Sequence, residues 1–542
     1  MRPLLALLLA SLPTASVLAQ QAAPQIRPEQ VRAHVSFLAD DALEGRDAGT
    51  RGYDVAARYV ATQFDALGLK PGGDKGGWYQ TIRFQAARID PTKPAGVTIG
   101  GRRFAQGDDV LVTPDARFPT QALTAPAVFV GYGLDAPQYK ADDYAGLDVR
   151  GKIVVMVRGT PAGIPSDVAA TLSATKAEVA ERKGAIGIVT LVTSDTLKAY
   201  PWARIVAQSG EPRTLMVEPD GKPRLRAPGV QARATVAQGA AAALFAGTRS
   251  SFMAIDAAYQ KKAALPRFAL PGEVTIAQST AVSESRSPNV IGVLPGSDPA
   301  LNTEYVLVTA HLDHNGIHAD APGADKVFNG AMDNAAGVAV MLEAARAFTA
   351  SGKPPKRSVM FAAVTSEEDG LLGSDYLARH PVVPAGGTVV ANVNLDMPVL
   401  LYMLDDVVAF GAEHSEVGQA VARAAAASGL TLSPDFMPNE NVFVRSDHYS
   451  FVKQGVPSVM LATGVKNDGE RIFREFLGKT YHSPADQIDL PFNWESAAKF
   501  AVVNYAIARD LADAPARPRW YTGSPFGDQF APNQPKAPRP AK

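Results

Sequence analysis

The chain has 542 residues, 46% of them hydrophobic and 20% charged. That is enough apolar material for a large core, and the length suggests roughly two to four domains. Its 53 Lys and Arg against 54 Asp and Glu leave a net charge of −1, which gives no reason to expect a nucleic-acid or anionic-membrane partner. Cysteine is absent, which excludes disulfides, thiolate metal sites, iron–sulfur clusters and a thiol nucleophile. Any metal must be held by His, Asp and Glu.

Residues 1–19 read as a secretory signal, with Arg2 before the apolar run Leu4–Leu9 and a small-residue cleavage site at Val17-Leu18-Ala19. No cysteine follows that site, so no lipid anchor is expected. No later stretch approaches the ~18 apolar residues of a membrane span. The expectation is an exported protein, periplasmic or secreted, with no membrane anchor.

A helical pattern runs over Val31–Leu38, and a second, marked by Val55, Tyr59, Val60, Phe64 and Leu67, ends near Gly68. Between them lies the polar, Gly-rich segment Leu43-Glu-Gly-Arg46 to Tyr53. Short strands and turns fill 76–118. The texture then changes to a smaller α/β or β-rich unit, with strands at Ala127–Val130, Lys152–Val157 and Ala185–Val192 and a helix over Val168–Lys183. From Ser287 the chain alternates strand, loop and helix. Strands are expected at Tyr305–Thr309, Ser358–Val364, Thr388–Asn394 and Ser458–Ala462. Helices are expected at Asn334–Thr349, Leu371–His380, Ser415–Ser428 and Trp494–Asp513. Such alternation predicts an α/β fold, a mostly parallel twisted sheet covered by helices. The Pro-rich tail, 515–542, is expected to be extended or disordered.

Several familiar motifs are missing or incomplete. Gly131-Tyr-Gly133 follows a strand, but Pro137 and a polar stretch stand where a dinucleotide site needs a helix. Neither a Gly-x-Ser-x-Gly elbow nor a His-Glu-x-x-His helix occurs. The informative residues sit elsewhere. In an open parallel sheet, functional groups gather beyond the carboxyl ends of the strands. His311 and Asp313 follow one expected strand, Glu367 and Glu368 another, and Asp396 a third. Asp333 stands just before a helix, and His482 follows a polar stretch. If the strands are neighbours, two His and at least three carboxylates meet at one edge. Crowded carboxylates repel, and two divalent cations of zinc type, about 3.5–4 Å apart, resolve that repulsion and make hydrolysis possible. Glu367 and Glu368, read as consecutive extended residues, would point to opposite sides, one to metal and one to water.

These residues stand in text that resembles the clan of co-catalytic dinuclear zinc exopeptidases, which includes bacterial leucyl aminopeptidase and glutamate carboxypeptidase. The matching segments are Thr309-Ala-His311-Leu-Asp313-His314, Asn329-Gly-Ala-Met-Asp333-Asn334-Ala-Ala-Gly337, Ser366-Glu367-Glu368 to Ser374, Asn394-Leu-Asp396, Ser446-Asp447-His448 and Tyr481-His482-Ser483. The resemblance implies a discontinuous catalytic domain over 26–118 and 285–514. It implies two zinc ions, or another divalent pair, bridged by Asp333. His311 and Asp396 would complete one site, and Glu368 and His482 the other. Glu367 becomes the general base and acid, Asp313 orients His311, and Tyr481 or His448 donates to the oxyanion. Met332 departs from the pattern, since many relatives carry a second Asp there. Residues 119–284 resemble an inserted protease-associated domain, β-rich or α+β, through Gly131-Tyr-Gly133, Asp143–Lys152 and Ala180–Gly187. The implied activity is removal of N-terminal residues from a peptide substrate. A carboxypeptidase or dipeptidase of the same clan and a non-catalytic receptor-like binder are the alternatives, and oligomeric state is left open.

Overall fold

The computed structural model describes residues 25–540. The secretory-signal reading of residues 1–19 lies outside them. At its centre four strands run parallel in the order Ser358–Val364, Glu304–His311, Thr388–Leu395 and Ser458–Thr463. Antiparallel strands close both sides, Phe268–Leu294 against Ser358–Val364 and Asp406–Phe410 against Ser458–Thr463. The central runs are rich in β-branched residues and buried on both faces, as a parallel sheet under helices requires. Side chains alternate between two cores. Val306, Val308 and Ala310 enter the larger one, with the helices Pro28–Leu38, Arg51–Ala66, Ala336–Ala350 and Trp494–Asp513. Tyr305 and Leu307 face the other, with Leu377 of the helix Leu372–Arg379 and Phe451 of His448–Val452. Each fully buried Leu, Ile or Phe in these layers contributes roughly 1.5–3 kcal/mol.

The inserted segment builds a second sheet on three parallel strands, Ile153–Val157, Gly187–Leu191 and Ala232–Val236, extended by Thr120–Phe129. Its helical stretch is broken at Thr175 into Ser166–Ala174 and Lys176–Arg182. The two sheets share one strand. Phe268–Leu294 pairs with Thr120–Phe129 through its first half and with Tyr79–Ile89 and Ser358–Val364 through its second. The boundary expected near residue 284 therefore falls inside a continuous strand. Arg213–Val217, within the inserted segment, also pairs with Tyr79–Ile89 and so joins the edge of the catalytic-type sheet.

The tail corrects its expectation. Trp520 is buried and donates its indole N–H to Gly455 O at 2.9 Å. A short helix, Pro525–Phe530, sets Phe526 against Phe443 at 4.9 Å. Proline density marks a chain without regular pairing. It does not stop apolar side chains from docking.

Candidate active site

The carboxyl ends of the central strands carry the polar residues inward. His311 ends its strand, Asp396 follows Leu395, and Glu367 and Glu368 lie in the turn after Val364. Because these strands are hydrogen-bonded neighbours, the three clusters stand side by side. Asp333 comes from the turn that starts the helix Ala336–Ala350.

Asp333 is the centre of the arrangement. Its Oδ1 lies 3.1 Å from His311 Nε2, which also lies 3.1 Å from Asp396 Oδ1. Its Oδ2 lies 3.2 Å from His482 Nε2, which also lies 3.0 Å from Glu368 Oε2. The two oxygens of one buried carboxylate thus face two separate donor sets, each with one imidazole and one further carboxylate. His311 Nδ1 donates to the main-chain carbonyl of Asp313 at 3.1 Å, which leaves Nε2 turned toward two carboxylates. Nitrogen and anionic oxygen at that range need a positive charge between them, a proton or a metal ion. Hard oxygen and imidazole nitrogen donors, with no thiolate, fit zinc.

The charges move accordingly. Burial disfavours an imidazolium at His311 and at His482. It is outweighed at His311 by Asp396 and at His482 by hydrogen bonds to Asp333 and Glu368, which raise His482 to about 10. Asp333 is held well below the usual carboxylate range, where hydrogen bonds from His311 and His482 overcome burial. Glu368 falls to about 2 against burial and against Asp333, because His314 and His482 hydrogen-bond it. Glu367 moves the other way. Burial raises it, and Asp396, Glu368 and Asp447 add to the rise, while His311 opposes. Two adjacent carboxylates are therefore driven apart, one toward the anion and one toward the proton-holding form.

Several expectations need correction. Glu367 and Glu368 are not extended residues on opposite sides. Ser366 has φ +52° and begins a turn, and both carboxylates converge with His311, so that one ligand atom from each lies within 4.8 Å of the others. Asp313 does orient His311, but through its carbonyl. Its carboxylate instead accepts the amides of Glu367 and Glu368 at 3.2 Å each, and so fixes the turn that aims them. Of the two oxyanion-donor candidates, Tyr481 faces the cluster. Its ring stacks on His482 at 3.8 Å, and its hydroxyl is raised by burial and then by Asp333, Glu368, Glu367 and Asp396. His448 is buried against Phe443 at 5.2 Å, and burial lowers it to about 3. It sits as a buried neutral ring against Phe443, and among the described residues neither ring nitrogen has a hydrogen-bond partner.

Other residues complete the site without a sequence signal of their own. His314 Nδ1 lies 2.7 Å from Glu368 Oε1 and 3.9 Å from Asp333 Oδ2. The text His311-Leu-Asp313-His314 shows it near the site, but only the tertiary structure brings it to Glu368, with its amide on Arg46 O at 3.3 Å. Asp486 accepts the amides of Met332 and Asp333 at 2.8 and 2.9 Å. Asn334 donates to Leu395 O at 2.9 Å and accepts from Gly337 N at 3.0 Å, tying the Asp333 turn to the Asp396 turn. Position 337 needs glycine, because a Cβ there would lie 2.1 Å from Asn334 Oδ1. Met332 is buried, with its sulfur 3.2 Å from the Leu400 amide. Beneath everything lies Arg46, fully buried, donating to Leu312 O at 3.0 Å, Asn329 O at 2.6 Å and Gly330 O at 3.1 Å. It spans the two turns that carry His311 and Asp333.

Residues 289–508 match the Peptidase family M28 model, and 123–220 match the PA domain model. These matches place a peptidase-family M28 segment after a PA-domain segment in this chain. Relatives named "Probable zinc metalloprotease" occur in two Pyrenophora species. That of Pyrenophora teres f. teres is 37% identical over 113 residues, which is 20% of this chain and 22% of the relative. A longer alignment to a protein of that name in Pyrenophora tritici-repentis is 26% identical over 273 residues, 43% of this chain and 53% of the relative. The chain thus spans between about a fifth and a half of the length of these relatives. Among solved structures, an aminopeptidase from Aneurinibacillus sp. strain AM-1 superposes with a TM-score of 0.51 at 21% identity, covering 91% of this chain and 95% of that one. That likeness concerns the fold of both units together.

Proposed function

We propose that this chain is an exported zinc-dependent exopeptidase, and specifically an aminopeptidase that hydrolyses N-terminal peptide bonds. The observation that carries the reading is the division of Asp333, Oδ1 toward His311 and Asp396 and Oδ2 toward His482 and Glu368. One carboxylate serving two donor sets is the arrangement a metal pair needs. Asp333 would bridge, His311 and Asp396 would hold one zinc, and Glu368 and His482 the other. When bound, the pair supplies Lewis acidity for the scissile carbonyl and makes water acidic enough to act near neutral pH.

The remaining steps belong to the chain. Glu367 is the carboxylate of the cluster that makes no hydrogen bond among the described residues, and it is the one poised to exchange a proton. It accepts a proton from the attacking water at its carboxylate and returns it to the leaving amine. Asp313 holds Glu367 in place through its amide. Tyr481 donates its hydroxyl to the oxyanion as the carbonyl carbon becomes tetrahedral. The Aneurinibacillus fold relative, itself an aminopeptidase, supports the choice of terminus.

The test is a metal count joined to a substrate panel. Purified protein should hold about two zinc ions per chain and lose turnover to a chelator. Free peptides should be cleaved from the N-terminus while N-blocked copies remain intact. Cleavage of blocked peptides from the other end would reassign it as a carboxypeptidase, and a chain that binds no zinc would end the proposal.

A further inference from the structure

Where the inserted unit meets the catalytic-type domain, a cavity of about 130 Å³ is lined by Arg213, Arg224, Arg226 and Arg233. It also touches Gly370, Leu372 and Asp375, in the segment that follows Glu367 and Glu368. Four guanidinium groups here oppose two lining carboxylates, and the carboxylates do not balance them. Asp375 is already taken by Arg224 at 3.4 Å, Arg379 at 3.1 Å and Lys453 at 3.0 Å. The second, Glu178, leaves its buried Oε2 without a hydrogen-bond partner. Among the described residues, Arg213, Arg226 and Arg233 pair with no carboxylate, and Arg233 reaches only Ala227 O at 3.5 Å.

Unpaired guanidinium groups at a domain junction are costly. Like charges repel, and partial burial removes the water that would screen them. Burial lowers Arg213 and Arg233, and Arg233 lowers Arg213 further, with Asp115 opposing at both and Glu178 at Arg233. An oxyanion in the cavity relieves both costs, because the planar fork of arginine matches a carboxylate with two parallel hydrogen bonds. On the scale where one water needs about 10–15 Å³, the space is ample for a carboxylate with its last methylene. Its position matters as well. Thr214, next to Arg213, hydrogen-bonds Asp369, and Met216 packs with Leu372. The arginine strand Arg213–Val217 is thereby joined to the turn carrying Glu367 and Glu368.

We propose that this arginine-lined cavity binds a carboxylate of the peptide substrate, at a distance from the scissile bond, and so gives the enzyme a preference for acidic peptides. This rests on the peptidase reading above. The carboxylate belongs either to an acidic side chain or to the C-terminus of the substrate, and the two sources are separable.

Four peptides with the same free N-terminal leucine distinguish them: acidic or glutamine-containing, each with a free or an amidated C-terminus. Binding is read twice, by calorimetry on the chelator-treated full chain and by kcat/KM on the zinc-loaded chain. The acidic or free-acid peptides should bind roughly tenfold or more tightly than the uncharged one. In Arg213→Gln and Arg233→Gln that ratio should fall toward one, and in the Lys replacements it should recover in part. Glu178→Gln removes the opposing carboxylate and should raise the ratio. If one variant fails to fold, the wild-type ratio and exposed Arg226→Gln still decide the matter. Equal binding of all four peptides by the wild-type chain, or a ratio unmoved by the Arg variants, overturns the site. Loss of the peptidase reading shows separately, as no turnover of any of the four peptides while the calorimetric preference persists.

Discussion

The two sheets of this chain share a strand and an architectural principle, but they end differently. In the catalytic-type sheet the strands close on His311, Asp396 and the Glu367 turn, all buried around Asp333. In the inserted sheet Ile153–Val157 runs into Arg158, and the carbonyls beyond it are closed by Lys176, whose ammonium donates to Val157 O at 3.0 Å and also to Gly159 O. Both units place loop residues beyond parallel strand ends. Only the first gathers acids and imidazoles there, around one buried carboxylate. A parallel sheet supplies the location, and the residues that follow each strand supply the chemistry.

The difference can be broken at its strongest point first. Glu367→Gln should keep zinc content while turnover falls by about 10²- to 10⁴-fold, the usual worth of a positioned acid–base group; retained activity would remove the carboxylate from the mechanism. Arg46→Met comes next. It leaves three buried carbonyls, on the turns that carry His311 and Asp333, without their donor and should cost about 3–5 kcal/mol in denaturant unfolding, together with weakened zinc retention. Phe129→Ala probes the other unit. Phe129 is fully buried, edge-on to Phe245 at 5.2 Å and to Phe268 at 5.9 Å. Its loss should cost about 3–5 kcal/mol. If the shared strand couples the units, calorimetry should still show one transition, and two would mean that each sheet melts alone. Tyr481→Phe should lower kcat by about 10²-fold with zinc retained, as for one lost oxyanion donor, whereas His448→Phe should leave kcat in place. The smallest effect belongs to the surface. Arg471 pairs with Asp468 at 2.7 Å and Glu475 at 2.9 Å, all exposed, and Arg471→Ala should leave the denaturant midpoint unchanged, because water and salt screen such pairs.

Most of the catalytic-type unit was legible in the chain. Strand Ser358–Val364 and helix Trp494–Asp513 lie where apolar runs and periodicity put them. The other central strands and helices shift by a residue or two at their ends, since local patterning fixes element type better than boundary. The clusters that follow strands were visible for the same reason, because polar residues after a buried apolar run have a forced location. The inserted unit was less legible. Its junction depends on a long strand that changes partners midway and on Arg213–Val217 pairing with a strand over 120 positions earlier. Neither pairing leaves a local mark.

By itself the sequence showed, through hydrophobic periodicity, that His and acidic residues follow neighbouring strands, and the absence of cysteine ruled out thiolate ligands, while the individual ligand roles came only from the resemblance. Only the tertiary structure decided how they face each other. The turn at Ser366 put both glutamates on one side, a carbonyl of Asp313 rather than its carboxylate met His311, and His448 went into an aromatic core while Tyr481 faced the acids. Side-chain direction in turns depends on backbone angles and on distant packing partners, and residue spacing carries neither.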